Sequence, residues 1–130
     1  MTQRTIRALT VPRHGGSDVL DVRSRQLPPP GPGELQVRVA ASGVNFIEVY
    51  QRQGVYPVPT PFVLGAEAAG TVVAVGSGVD GFTVGDVVAS ATAPGAHAEA
   101  LNAPADHFVP VPAEVSAELA AAVMLQGMTA

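Results

Sequence analysis

Both tyrosines of the chain, Tyr50 and Tyr56, lie in one short stretch, residues 43–57, GVNFIEVYQRQGVYP. A phenol can donate as well as accept a hydrogen bond, so two of them close together could act on a polar acceptor atom. Asn45 and Glu48 precede them at the spacing of a capping pair at a helix start. A further acid, Glu67, sits in the otherwise Ala/Gly segment GAEAAG, ahead of a Val-rich run. A carboxylate buried there needs a partner, and an ion pair or backbone hydrogen bonds is the plainer role for it than catalysis. The three histidines, His14, His97 and His107, are too scattered to suggest a metal set, and the chain has no Cys to supply a thiolate. His97, in GAHAEA, reads as a surface residue of a strand.

These residues need elements to hold them. Residues 34–41 are the clearest strand: Leu35, Val37 and Val39 alternate with Glu34, Gln36 and Arg38, so the first set points inward and the second outward. Ser42-Gly43-Val44 ends it and leads into the tyrosine stretch. There Asn45 caps a helix, Phe46, Val49 and Tyr50 share one face, and Gly54 stops it in a left-handed conformation. The prolines that follow, to Pro61, force an extended loop. Residues 5–12 read as a first strand and 19–25 as a half-buried one. Residues 71–75, 87–89, 96–101 and 107–111 read as four more. Gly76-Ser77-Gly78 is a turn and not a dinucleotide loop, since no helix pattern follows it. Ser116 caps a last helix that runs to about Met128. Short strands between Gly and Pro turns predict a mainly β fold with two short helices.

Composition excludes several roles. The net charge is −4, and all seven basic residues are scattered Arg, so nucleic acid is not the expected partner. The longest apolar run, residues 119–125, is far below the roughly 20 residues a membrane helix needs. No signal peptide is visible, and a Cys-free chain suits a reducing compartment. A cytoplasmic location is the expectation.

Seven segments in order are similar to the medium-chain dehydrogenase/reductase superfamily, most of all to its zinc-free quinone oxidoreductases (the zeta-crystallin-like branch). They are His14-Gly15-Gly16 to Leu20, Gly43-Val44-Asn45-Phe46-Ile47-Glu48 to Tyr50, Gly54-Val55-Tyr56-Pro57, Gly65 to Gly70, Val75 to Val79, Gly85-Asp86-Val88, and Ala120-Ala121-Ala122 to Ala130. The resemblance spans essentially the whole chain. It implies a GroES-like, partly open β-barrel over residues 1–130, with the Rossmann cofactor domain outside this chain and supplied in cis or in trans. It also implies NADPH, bound mainly by that other domain, as hydride donor to a quinone or α,β-unsaturated carbonyl. Family members often dimerise through the other part, so a homodimeric parent is expected.

The departures from the zinc-dependent branch carry information. Where that branch has a Cys this chain has Asn45, and where it has Gly-His-Glu this chain has Gly65-Ala66-Glu67. The resemblance therefore implies no metal. Hydride transfer to an enone builds charge on oxygen, and donors must be aimed at it. Tyr50 and Tyr56 match the two cleft tyrosines of the quinone oxidoreductases and are the expected catalytic donors. Asn45, Phe46, Gln126 and Thr129 match positions near the cofactor, although related sequences often carry Lys where this one has Gln126. The isolated 130-residue chain is expected to be inactive. A non-catalytic GroES-like binding or scaffold module, or the enoyl reductase portion of a polyketide synthase, are the alternative readings.

Overall fold

A computed structural model of the chain describes residues 3–129, with side chains described through Val123. Two antiparallel sheets make up most of it. Strand β1 (Arg4–Val11) pairs along its length with β2 (Asp21–Leu27), and its end pairs with β4 (Phe62–Val63), giving the order β2-β1-β4. Strands β3 (Glu34–Gly43), β5 (Glu67–Val75), β6 (Val87–Ser90), β7 (Ala100–Pro104) and β8 (Val109–Pro110) form the second, in the order β7-β3-β5-β6-β8. Helix α1 (Ile47–Gln53) follows β3, and α2 (Ala117–Thr129) packs against β3, β5 and β6. The sheets do not close into one barrel. Among the described residues an isolated bridge, Ala8 to Ala98, ties β1 to the segment leading into β7, which is the partly open GroES-like arrangement that the resemblance implies.

The main core is made of Leu35, Val37, Val72, Val88, Leu101 and Phe108 with small alanines between them. Under α2 the contact is almost all alanine: Ala69 and Ala89 meet Ala120 and Ala121. Such small side chains bring the helix close to the sheet. At Gly70, on β5, a Cβ would overlap the Arg38 carbonyl oxygen of β3. The backbones meet there beside the irregular register between Val39 and Ala41, so this glycine serves close approach and not a turn.

Local pattern misplaces several elements. The strand expected at 19–25 runs Asp21–Leu27 and is exposed except at Leu27, because it is the edge of the smaller sheet with one neighbour only. Val19 is instead buried in a short 3-10 turn, Ser17–Val19. The Pro-rich loop ends in β4, which the sequence reading did not contain. The strand expected at 96–101 begins at Ala100, and the one expected at 107–111 shrinks to β8 behind a 3-10 turn, Ala105–His107. Gln36, expected outward, is buried. Its amide accepts from Arg4 Nε at 2.6 Å and donates to the Pro28 carbonyl at 3.0 Å and to Asn102 Oδ1 at 3.1 Å. Ser116 caps α2 as expected, its Oγ accepting the Leu119 N–H at 3.1 Å.

Candidate active site

β3 delivers the chain to the site. Its last residues alternate across the sheet, so Ser42, which pairs with the core residue Ala68, faces inward, and Gly43, which pairs with Glu67, faces α2. A Cβ on Gly43 would overlap Glu67 Oε1 and lie 3.1 Å from the Ala121 carbonyl. Only a bare backbone leaves room for that carboxylate, which is 2 % exposed. Asn45 Nδ2 donates to Glu67 Oε1 at 3.0 Å. Glu67 thus has the partner its burial requires, a side-chain amide from the tyrosine stretch where the sequence reading expects an ion pair or backbone hydrogen bonds.

The cap expected from Asn45 does not form. α1 starts with Phe46 as its N-cap, and no side chain caps it. The first-turn bonds are backbone ones, Glu48 N–H to the Asn45 carbonyl at 3.1 Å and Val49 N–H to the Phe46 carbonyl at 3.0 Å. Asn45 is instead turned into the protein toward Glu67, and Glu48 is buried rather than reaching back to the helix start. Gly54 does end the helix in the left-handed conformation, φ +87°. Beyond it the Tyr50 carbonyl accepts the N–H groups of Val55, at 2.9 Å, and Tyr56, at 3.3 Å. That wrap brings Tyr56 back onto Tyr50, with ring centroids 5.6 Å apart at 83°. Phe46 meets the other side of Tyr50 at 5.2 Å and 74°. Edge-to-face pairs at such distances are favourable.

The three rings form one wall, open to the outside: Phe46 is 68 % exposed, Tyr50 38 % and Tyr56 51 %. Val44, Ile47 and Val55 extend it. Neither phenol bonds to any described residue, so both hydroxyls are available to a bound molecule. Beside the wall, a cleft of about 430 Å³ lies between the end of β3 and α2, lined by Gly43, Val44, Asn45, Glu67 and Ala121. Gln126 and Thr129, expected near the cofactor, have side chains outside the described residues. Among the described residues no group of three His, Cys, Asp or Glu comes together as metal ligands would. An Asn amide at 45 and a methyl group at 66 do not suit zinc, whose ligands are thiolate, imidazole or carboxylate. Gly76-Ser77-Gly78 connects strand to loop, its ends tied by Gly76 N–H to the Glu34 carbonyl at 2.8 Å and by Gly33 N–H to the Ser77 carbonyl at 2.9 Å. It opens no helix.

One constellation escaped the sequence reading. His97 is not a surface residue: its side chain is 11 % exposed and lies between β3 and α1. Its Nε2–H donates to Glu48 Oε1 at 2.7 Å, and its Nδ1 is 2.8 Å from Ser42 Oγ. The three residues are far apart in sequence, and no periodicity joins them.

The sequence profile of the alcohol dehydrogenase GroES-like domain matches residues 31–113. The chain is 49 % identical over 118 residues to the quinone oxidoreductase of Pseudomonas aeruginosa, covering 89 % of this chain and 36 % of that protein. It superposes on the Escherichia coli quinone oxidoreductase complexed with NADPH with a TM-score of 0.92 at 42 % identity, covering 95 % of this chain and 38 % of that one. A mycobacterial quinone oxidoreductase gives 0.90 at 46 % identity, covering 95 % and 39 %. The chain spans about a third of the length of the curated relatives it matches.

Proposed function

The chain belongs to the alcohol dehydrogenase GroES-like domain family, and on that premise we propose that it is the N-terminal, substrate-facing domain of an NADPH-dependent quinone or enone reductase. The observation that carries the proposal is the exposed Phe46–Tyr50–Tyr56 wall, whose two phenols bond to no described residue, beside the Asn45–Glu67 cleft. Likeness to quinone oxidoreductases, one of them solved with NADPH, supports it. The cofactor fits the arrangement in part. The exposed rings of the wall offer apolar surface for a nicotinamide and the cleft beside them offers the polar Asn45, while no Gly-rich loop opening a helix is present among the described residues to take its phosphates. On this reading residues 1–130 form one domain, and a Rossmann domain, in cis or in trans, holds the rest of the cofactor.

NADPH supplies the hydride when bound. The chain's own residues orient and polarise. Tyr50 and Tyr56 direct O–H groups at the substrate oxygen, where negative charge grows during reduction. Phe46 keeps the Tyr50 ring on edge and shields one side from water. Asn45, fixed by Glu67, shapes the cleft floor near the cofactor; for Gln126 and Thr129 the resemblance alone supports a cofactor contact. Asn45 and Ala66 leave no ligand set for zinc, so the reaction runs without it. The proposal also places the parent in the cytoplasm as a homodimer.

The test is NADPH oxidation with a benzoquinone, by the chain joined to its cofactor domain and by the 130 residues alone. Turnover belongs to the first only and persists with a chelator present. Tyr50→Phe and Tyr56→Phe each lower kcat/KM, by up to roughly 10²-fold where one donor dominates. Enzyme-like rates from the 130 residues alone, or full activity in the double Phe variant, would sink the proposal.

A further inference from the structure

Helix α1 carries the aromatic wall, yet none of its apolar side chains is fully buried: its one fully buried residue is Glu48, with Val49 half-buried. A short helix is not stable on its own, so the contacts of this carboxylate and of the helix end decide where the wall sits. At the end, Arg52 Nε donates to the Gly15 carbonyl at 3.2 Å, and the Gly15 N–H to the Arg52 carbonyl at 2.9 Å. At the start, the tie is His97.

His97 is well placed to fix something else. Its own N–H donates to the Leu64 carbonyl at 2.9 Å, and its carbonyl accepts the Leu9 N–H at 2.8 Å, so the backbone is pinned next to the smaller sheet. Ser42, from the larger sheet, holds Nδ1. That hydroxyl can donate to a neutral ring or accept from a protonated one. Nε2 then reaches Glu48 in the first turn of α1. Room for the ring comes from Gly65, where a Cβ would lie 3.0 Å from His97 Cγ and 2.6 Å from its backbone nitrogen. One residue therefore joins both sheets to the helix, through its backbone on one side and its ring on the other.

Stability alone does not explain the arrangement. Glu48 Oε2 is buried without a hydrogen-bond partner among the described residues. Burying a charged pair favours folding only when its remaining polar positions are satisfied, and apolar side chains of similar volume often do as well or better. What a hydrogen-bonded pair offers, and an apolar contact does not, is direction.

We propose that His97 is a positioning residue for the reduction: it sets the angle and depth of α1 through Glu48, and so the place of the Tyr50 and Tyr56 hydroxyls. The inference rests on the function proposed above, but one of its readouts does not. Tyr50 and Tyr56 are the only tyrosines and there is no Trp, so ring-labelled tyrosine spectra of the 130-residue chain report the wall and nothing else. His97→Phe fills the space without the hydrogen bonds, and His97→Gln can restore a donor to Glu48. We expect His97→Phe to shift both tyrosine signals and His97→Gln to return them toward wild type. With the cofactor domain joined, His97→Phe lowers kcat by roughly 10²-fold, the scale of a misplacement of about 1 Å. The KM for NADPH moves less than kcat, because the other domain holds most of the cofactor, and His97→Gln recovers most of the loss. Unchanged tyrosine signals in folded His97→Phe, or a Gln variant as impaired as the Phe variant, overturn the proposal. If His97→Phe does not fold, Ser42→Ala decides: it removes one tie to the ring, and unchanged tyrosine signals there are equally fatal. A wild-type enzyme that does not reduce quinones defeats the proposed function and leaves the tyrosine test intact. Normal turnover by His97→Phe defeats only the positioning role.

Discussion

Replacing Gly43 with Ala adds one methyl group where the fold has no room for it. The backbone there is not left-handed, so Ala meets no conformational penalty and even gains about 0.4–1 kcal/mol by restricting the unfolded chain. The cost is steric. The new Cβ would overlap Glu67 Oε1 and press on the Ala121 carbonyl at 3.1 Å. Forcing a methyl group into filled space costs about 1–3 kcal/mol. Moving the carboxylate aside breaks the Asn45–Glu67 bond, worth about 1.5–3 kcal/mol when one partner is charged. The net loss is about 1.5–5.5 kcal/mol. Unfolding entropy is about 2.1 cal/mol/K per residue, so over 130 residues each kcal/mol moves Tm by about 4 °C, and the expected drop is about 6–20 °C. Thermal melts by far-UV circular dichroism read it. Gly33→Ala is the control: nothing lies within 4 Å of its Cβ, but φ is +78°. Its cost is that of the left-handed conformation, about 1–2 kcal/mol, and Gly33→Asn should recover part of it, since Asn tolerates that region. A Gly43→Ala protein melting within about 2 °C of wild type would refute the packing argument.

Ser116→Ala removes the hydroxyl that accepts the Leu119 N–H; the expected loss is about 1 kcal/mol, with faster amide exchange at Leu119, and an unchanged exchange rate contradicts it. Glu99 has its carboxyl held below the usual 4.5, first by the Arg7 backbone N–H and then by the Arg7 side chain. A lowered folded-state value means its contribution is present above 4.5 and is lost as pH falls through the lowered value. Arg7→Ala keeps the N–H at 2.6 Å and removes only the guanidinium at 3.3 Å. The Glu99 carboxyl resonance should therefore still titrate below its ordinary value; a return to that value would show the side chain to be the larger cause.

The sequence signals that succeeded are local or carried by family pattern. Gly54 as a helix stop, Ser116 as a cap and the shared face of Phe46 and Tyr50 each depend on a few neighbouring residues. The failures are contacts that local pattern cannot encode. Asn45 and Glu48 have the spacing of a capping pair, but each has a better offer across the fold, Glu67 for one and His97 for the other. A buried carboxylate outcompetes a cap because leaving it unpaired costs more than the cap gains. His97 looked exposed because its strand pattern suggested alternation, whereas residues 96–99 cross between the sheets and turn the ring inward. Gln36 fits outward alternation equally well and is buried by its bonds to Arg4, Pro28 and Asn102.

The end of β3 carries a last consequence. Ser42 and Gly43 are neighbours, so the pleat sends them to opposite faces. One face leads through His97 to Glu48, and the other makes room for Glu67 and hence for Asn45. Residues 44–48, which start the helix under the wall, are thus held from both sides by two buried carboxylates. If so, Gly43→Ala and His97→Phe are not independent. Once Asn45 is unseated, the first turn of α1 is already loose, and removing His97 has less left to disturb. The double variant should be more stable than the sum of the single losses predicts, by about 0.5–1.5 kcal/mol, within the range seen for coupled sites. Urea denaturation of the four proteins measures it. Additivity within about 0.3–0.5 kcal/mol, the behaviour of distant sites, would mean the two anchors act separately and the wall is seated by something else.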